Sequence, residues 1–195
     1  IMSAVKKRLK GMPIQKIFGR EYFFGMTFKV NKNVLCPRPE TEILVEEALK
    51  FVKYDFAVLD LCTGSGAIAV SVAKNSNAKV FASDISSKAL KVAKLNAKTN
   101  NASVCFIKSD LFKNLNQKFD IIVSNPPYIK TQDIQNLDVE VKKFDPVISL
   151  DGGEYMLEIS NGIKGKKYFV DLQANTKILI EWDSKSQMLT VIEQG

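Results

Sequence analysis

Asn125-Pro126-Pro127-Tyr128 closes a short apolar run, and its residue types suit one kind of chemistry. Two prolines fix the backbone and remove two N–H donors, which leaves the Pro126 carbonyl open as an acceptor. The Asn125 amide oxygen is a second acceptor, and its NH₂ is a donor. Tyr128 adds a flat face for stacking a planar group. Together these groups can grip a planar –NH₂ and aim its nitrogen. The plainer reading is a rigid turn that ends in an aromatic core residue.

A second set of residues points to a bound nucleotide. Thr63-Gly64-Ser65-Gly66-Ala67-Ile68-Ala69 fits G-x-G-x-x-A after an apolar strand pattern. Missing side chains let a ligand touch the backbone there, and the helix that follows presents free N–H groups. Any tight strand-to-helix turn also needs glycine, so the loop alone is weak. Asp84 lies 20 positions after Gly64, the spacing at which a carboxylate meets ribose hydroxyls in nucleotide-binding βαβ units. Its rival role is a helix N-cap, for which Ser86 competes. Loop and acid together favour an adenosine-containing cofactor without separating a dinucleotide from S-adenosylmethionine. The –NH₂ grip at Asn125 favours the latter, because it sets an amino group beside a reactive methyl.

These residues need a scaffold, and the pattern supplies one. FAVLDL (56–61), AKVFASD (78–84), SVCFIKSD (103–110), FDIIVSN (119–125) and KILIEW (177–182) are short apolar runs. GAIAVSVAKN and SKALKVAKLNAKTN, between them, have helical period. Strands buried on both faces with intervening helices predict an α/β fold, a Rossmann-like doubly wound sheet that is mainly parallel. Its carboxyl edge would gather Cys62 through Gly66, Asp84, Asp110 with Leu111, and Asn125 through Tyr128, where ligands bind in such sheets. Ahead of it, residues 20–35 read as a β-hairpin, and Ile43, Leu44, Ala48 and Phe51 as an amphipathic helix.

Composition narrows the classes further. The chain has 195 residues, 46% hydrophobic and 25% charged, ample for one domain with a real core. It holds no run of about 18 apolar residues, so no membrane helix is expected, and IMSAVKKRLK is no signal peptide. Histidine is absent, which excludes a Ser-His-Asp triad, a Cys-His pair and His-ligated metals. Cys36, Cys62 and Cys105 are odd in number and far apart, which fits buried thiols in a reducing cytoplasm and neither zinc nor a disulfide framework. The net charge of +7 is nearly all Lys. It reads as a solvated surface or as the footprint of a nucleic acid, and no basic block with interleaved aromatics separates the two.

With these residues in view, the chain resembles the peptide chain release factor glutamine methyltransferases (the HemK/PrmC family) of the class I S-adenosylmethionine-dependent methyltransferases. The stretches that carry the resemblance are PIQKIFGREYFFGMTFKV (13–30), LCPRPETEILVEEAL (35–49), VLDLCTGSGAIAV (58–70), FDIIVSNPPYI (119–129) and FDPVISLDGGEY (144–155). P-R-P-E-T-E and L-D-G-G are the specific parts, since N-P-P-Y is shared with enzymes that methylate amino groups of adenine or guanine. The family has glycine where this chain has Cys62, and a cysteine fits there only with an ordinary φ and room for its thiol.

The resemblance implies methyl transfer from S-adenosylmethionine to the side-chain amide nitrogen of the Gln in a release factor's Gly-Gly-Gln motif, in the cytoplasm, leaving S-adenosylhomocysteine. Asn125 and Pro126 would accept the amide hydrogens, Tyr128 would pack on the amide, and Pro127 would complete the substrate grip. Cys62, Thr63, Gly64, Ser65 and Gly66 would line the methionine part, Asp84 the ribose, and Asp110 and Leu111 the adenine, with Asn125 beside the methyl. Pro39 and Thr41 would close the site from outside the sheet. Asp60 would bind the cofactor ammonium through water or only brace the loop. The resemblance also implies a division into a basic stub with a hairpin linker (1–35) and a methyltransferase domain (36–195). By this reading the N-terminal helical domain is largely missing and the C-terminal strands are cut short. Three other readings stand beside it. One is a nucleic-acid amino methyltransferase. Another is an NAD(P)-dependent oxidoreductase, which lacks a His or Tyr-x-x-x-Lys. The last is a cofactor-binding module that does not turn over.

Overall fold

The computed structural model describes residues 2–127 and 129–152, together with the strand backbones at 177–178, 180–183 and 188–191. Two short helices, α1 (Met2–Leu9) and α2 (Ile14–Phe18), lead into the expected hairpin of β1 (Arg20–Phe23) and β2 (Met26–Lys29). Its two-residue turn, Phe24-Gly25, has φ of +48° and +72°. That twist matches antiparallel strands and is the reason a glycine sits there. Phe23 and Phe28 are buried edge to face, with centroids 5.9 Å apart. They join the buried cluster that also holds Leu44, Val45, Val58, Val70 and Val72.

Helix α3 (Glu40–Phe51) follows Pro39, with Glu40 and Glu42 in its first turn. Acidic side chains are favourable at that positive end, and the Glu42 carboxylate also accepts the Phe24 N–H at 2.7 Å. The helix buries Thr41, Leu44, Val45 and Ala48. Ile43, expected on the apolar stripe, is exposed instead. The buried stripe runs through Thr41, Leu44, Val45 and Ala48.

The central sheet has five strands in the order β5-β4-β3-β6-β7. These are β3 (Ala57–Leu61), β4 (Lys79–Asp84), β5 (Val104–Lys108), β6 (Ile121–Ser124) and β7 (Lys177–Ile178), and every pairing among them is parallel. Helices α4 (Ala67–Asn75) and α5 (Ser87–Thr99) connect the first three. Side chains alternate across β3. Val58 joins the cluster under α4, whereas Leu59 and Leu61 join Phe119 and Ile122 in a second cluster on the opposite face. A strand covered on both faces has to be apolar throughout, and that accounts for the continuous run seen in the sequence. Of the expected fifth strand (177–182), only β7 joins this sheet; β8 (Ile180–Asp183) instead pairs antiparallel with β9 (Met188–Val191) in a separate two-stranded sheet.

The strand order carries the functional consequence. The chain runs outward from β3 through β4 to β5, then returns to the other side of β3 as β6. The reversal lies between β3 and β6, and a crevice opens at the carboxyl ends of strands where the order reverses.

Candidate functional site

The loop after β3 and the segment after β6 flank that crevice. Ser124 Oγ donates to the Leu61 carbonyl at 2.7 Å, tying the two strand ends together. A cleft of about 330 Å³ opens there, within the range of small-molecule sites. Its walls include Cys62, Thr63, Gly64 and Ser65, Asp84, Asp110 with Leu111, and Asn125 with Pro126 and Pro127. Residues as far apart in sequence as Cys62 and Pro127 thus share one cavity. Gly66 and Pro39 lie outside the lining and Thr41 lies within it. Tyr128 lies outside the described residues.

The acid at the end of β4 holds the glycine loop in place. Asp84 Oδ2 accepts the Gly64 N–H at 2.9 Å, and Oδ1 accepts the Ser86 N–H at 2.8 Å. The helix cap is Ser86, whose Oγ accepts the Ala89 N–H at 3.2 Å. Asp84 is therefore free of the capping role and faces the cleft. The two glycines differ. Gly64 has φ +53° and no atom within 4 Å of where a Cβ would stand, so its missing side chain is cleft space. Gly66 has φ +81°, and a Cβ there would come within 2.9 Å of the Ala93 Cβ, so its missing side chain lets α4 approach α5.

Cys62 departs from expectation. Its φ is +62°, in the left-handed region, so the thiol is accommodated without the ordinary φ a cysteine prefers. Such a backbone costs an L-residue roughly 1–2 kcal/mol. Burial, with Asp84 and Asp60 adding negative charge nearby, pushes the thiol up to about 12. It is therefore a neutral wall of the cleft and no nucleophile.

Asp60 braces the loop from below. It is buried, and its Oδ2 accepts from Thr63 Oγ1 and, at 3.0 Å, from the Ala69 N–H. Burial pushes its pKa up to about 7, against the pull of those two hydrogen bonds. Asp60 does not line the cleft.

At the part of the cleft expected from the sequence to border an adenine, Leu111 has φ +47° and is half exposed. The turn is held because Ser109 Oγ donates to the Leu111 carbonyl at 2.7 Å and accepts the Asn114 N–H at 3.0 Å. A bulky residue held in that strained form marks a built feature of the site. The Asp110 carboxylate is partly exposed and pairs with Lys113 at 2.5 Å. On the opposite side, Asn125 Nδ2 points to Thr41 Oγ1 at 3.5 Å. That contact engages the Nδ2 side of the amide, in a residue that lines the cleft.

Sequence reasoning missed several parts. Asn96, on α5 and fully buried, accepts the Lys29 N–H through Oδ1 at 2.7 Å. Its Nδ2 donates to the Lys29 carbonyl at 3.0 Å and to the Ser65 carbonyl at 2.8 Å. One side chain therefore joins the hairpin, a helix and the glycine loop. Two cleft walls, 33–38 and 148–152, also went unassigned. The segment after Leu150 pairs with Ile129 through the Ile129 N–H to the Leu150 carbonyl and the Gly152 N–H to the Ile129 carbonyl. The motifs P-R-P-E-T-E and L-D-G-G mark these walls, but nothing in their residue types announces a lining role. Among the described residues no group of His, Cys, Asp or Glu could hold a metal, and no helix is long and apolar enough to cross a membrane.

Comparison with known proteins agrees with this architecture. Residues 38–145, more than half of the chain, match the family described as "Methyltransferase small domain". The chain is 44% identical over 161 residues to the release factor glutamine methyltransferase of Thermodesulfovibrio yellowstonii, covering 79% of this chain and 58% of that protein. It is 41% identical over 179 residues to the enzyme of that name from Bacillus anthracis, covering 83% and 63%. With that of Flavobacterium psychrophilum it shares 47% over 146 residues, covering 71% and 51%. The chain thus spans between half and two-thirds of the length of the curated relatives it matches.

Proposed function

This chain belongs to the methyltransferase small domain family, and from that premise we propose that it transfers a methyl group from S-adenosylmethionine to the side-chain amide nitrogen of the glutamine in the Gly-Gly-Gln motif of peptide chain release factors. The observation that carries the proposal is the shared crevice. The Cys62–Ser65 loop and the Asn125–Pro127 segment meet at the point where strand order reverses. Kinship with relatives of that name at 41–47% identity supports the choice of substrate.

The residues present fit the cofactor. The space beside Gly64 would be filled by any Cβ, and Asp84 offers oxygens that can accept ribose hydroxyls while still holding the loop. Cys62 through Ser65 would hold the methionine part, and Asp110 with Leu111 would border the adenine. Once bound, S-adenosylmethionine supplies an electrophilic methyl on a sulfonium. The remaining work falls to the chain.

An amide nitrogen is a poor nucleophile because its lone pair is delocalised. Asn125 Oδ1 and the Pro126 carbonyl accept its two hydrogens and fix the amide plane. As bonding to the methyl grows, so does positive charge on nitrogen, and these two oxygens stabilise it chiefly in the transition state. Pro127 keeps the turn rigid, and the role proposed for Tyr128, by the resemblance, is to pack on the amide. The methylated amide is strongly acidic until it sheds its proton, so no strong base is required. Holding donor and acceptor in line contributes much of the rate.

Two measurements test the proposal. Calorimetric titration should show binding of S-adenosylhomocysteine and none of NADH. Labelled methyl should pass to a release factor and not to DNA or ribosomal RNA. Transfer to nucleic acid alone would replace the proposal with an amino methyltransferase of that class.

A further inference from the structure

Lys16 is an unusual residue to bury. It stands on α2, far from the crevice in sequence, and its side chain is only 5% exposed. A buried ammonium is costly unless each of its three donors finds a partner. Here each does. Nζ donates to the Asn31 carbonyl at 2.8 Å and the Val34 carbonyl at 2.6 Å, and it pairs with Asp145 Oδ1 at 2.9 Å. Asp145 is equally buried, at 3% side-chain exposure, and its other oxygen faces Arg38 Nη2 at 3.4 Å.

The partners of this pair are the roots of two cleft walls. Asn31 and Val34 begin the segment whose residues 33–38 line the cavity, and Asp145 begins the segment from which Ile148, Ser149, Asp151 and Gly152 line it. The second wall is in turn hydrogen-bonded to Ile129, four residues after Asn125. A chain of contacts therefore runs from the ammonium through Asp145 and the 146–152 segment to Ile129, just beyond the segment proposed to hold the acceptor amide. If packing were all that mattered, two apolar side chains would serve as well or better than a buried ion pair.

We propose that the Lys16–Asp145 ion pair is a positioning device for the acceptor side of the cleft, setting the 33–38 wall against the 148–152 wall and so the place of Asn125 relative to the methyl. The idea rests on the reading of the cleft as a methyl-transfer site. Neither residue touches the reacting atoms. Arg38 and the Cys36 thiol, which burial pushes up to about 11, complete the surroundings of the pair.

The test compares Lys16→Met, Asp145→Leu and the double variant in the full chain, with Asp145→Glu as the charge-keeping control. Each single change leaves one buried charge uncompensated and should lower the melting temperature; the double change should recover most of that loss. Hydrogen–deuterium exchange should nevertheless stay faster than wild type in both 31–38 and 146–152 of the double variant. Its methyl transfer to a release factor should fall about 10- to 100-fold with S-adenosylhomocysteine affinity little changed, and Asp145→Glu should keep most of the transfer. A double variant that recovers stability and wild-type transfer together would overturn the proposal. So would exchange that rises only in 14–18. If the singles do not fold, Lys16→Arg is read by the same two exchange windows. Absence of transfer by the wild-type chain would count against the proposed function. The exchange arm would still decide the role of the ion pair.

Discussion

The backbone N–H of Gly64 donates to Asp84 Oδ2 at 2.9 Å, so the glycine loop after β3 and the acid that ends β4 form a single unit. The residue expected to take the ribose hydroxyls also sets the shape of the loop expected to take the methionine part. The two functions should fail together.

Asp84→Ala should weaken S-adenosylhomocysteine binding by about 1.5–3 kcal/mol, the scale of a lost charge-assisted hydrogen bond. Asp84→Asn should lose less, because one oxygen can still accept from Gly64. Calorimetry reads both. Wild-type affinity in Asp84→Ala would remove the residue from the site.

Gly64 and Gly66 should separate cleanly when each is changed to Ala. Gly64→Ala should cost about 1–2 kcal/mol of stability from its left-handed φ and lose cofactor affinity, since its Cβ projects into open cleft. Gly66→Ala carries the same backbone cost plus the clash with Ala93, about 2–5 kcal/mol in all. Urea unfolding beside titration distinguishes them. Unchanged affinity in folded Gly64→Ala would mean that the loop is no cradle.

Cys62→Gly should raise stability by up to about 1.5 kcal/mol. Relief of a left-handed φ of +62°, roughly 1–2 kcal/mol, outweighs the extra chain entropy of glycine, roughly 0.5–1. The midpoint of urea unfolding is the readout. A loss of stability would show that the thiol packs well enough to offset its strained backbone.

Stability should fall as pH rises from about 4 to about 7 on account of Asp60. Its pKa is raised from 3.8 to about 7 by burial, so between those values the native state holds a proton that the unfolded state has lost. The slope is at most about 1.4 kcal/mol per pH unit and flattens above pH 7. The chain contains no histidine to mask it. Melting temperatures across this range should show the slope in wild type and lose it in Asp60→Asn. A pH-independent difference between the two would contradict the raised pKa.

Much of this site could be read in the sequence because each central strand is an apolar run that stops at a polar residue. Asp84, Asp110 and Asn125 stand out for that reason, and a parallel sheet brings such ends to one edge whatever the strand order. The switch point itself followed only from the order β5-β4-β3-β6-β7. Asn96 stayed hidden because an asparagine in KLNAKTN looks like an ordinary surface position, and its partner Lys29 lies 67 residues away. Lys16 was hidden in the same way, among many solvated lysines. The backbone at Cys62 could not be read from residue type, since cysteine gives no sign of positive φ. Local pattern reports what ends a strand and leaves unstated what reaches across to hold it.

The central claim is that Asn125 holds an amide nitrogen in line with the methyl. The most direct measurement is labelled methyl transfer to a release factor by wild type and Asn125→Ala, with S-adenosylhomocysteine affinity measured on both. Loss of one preorganised group should lower turnover by about 10²–10³, roughly 2.7–4 kcal/mol, with cofactor affinity little changed. Near-wild-type transfer by Asn125→Ala would contradict the account and remove the main argument for an amide acceptor.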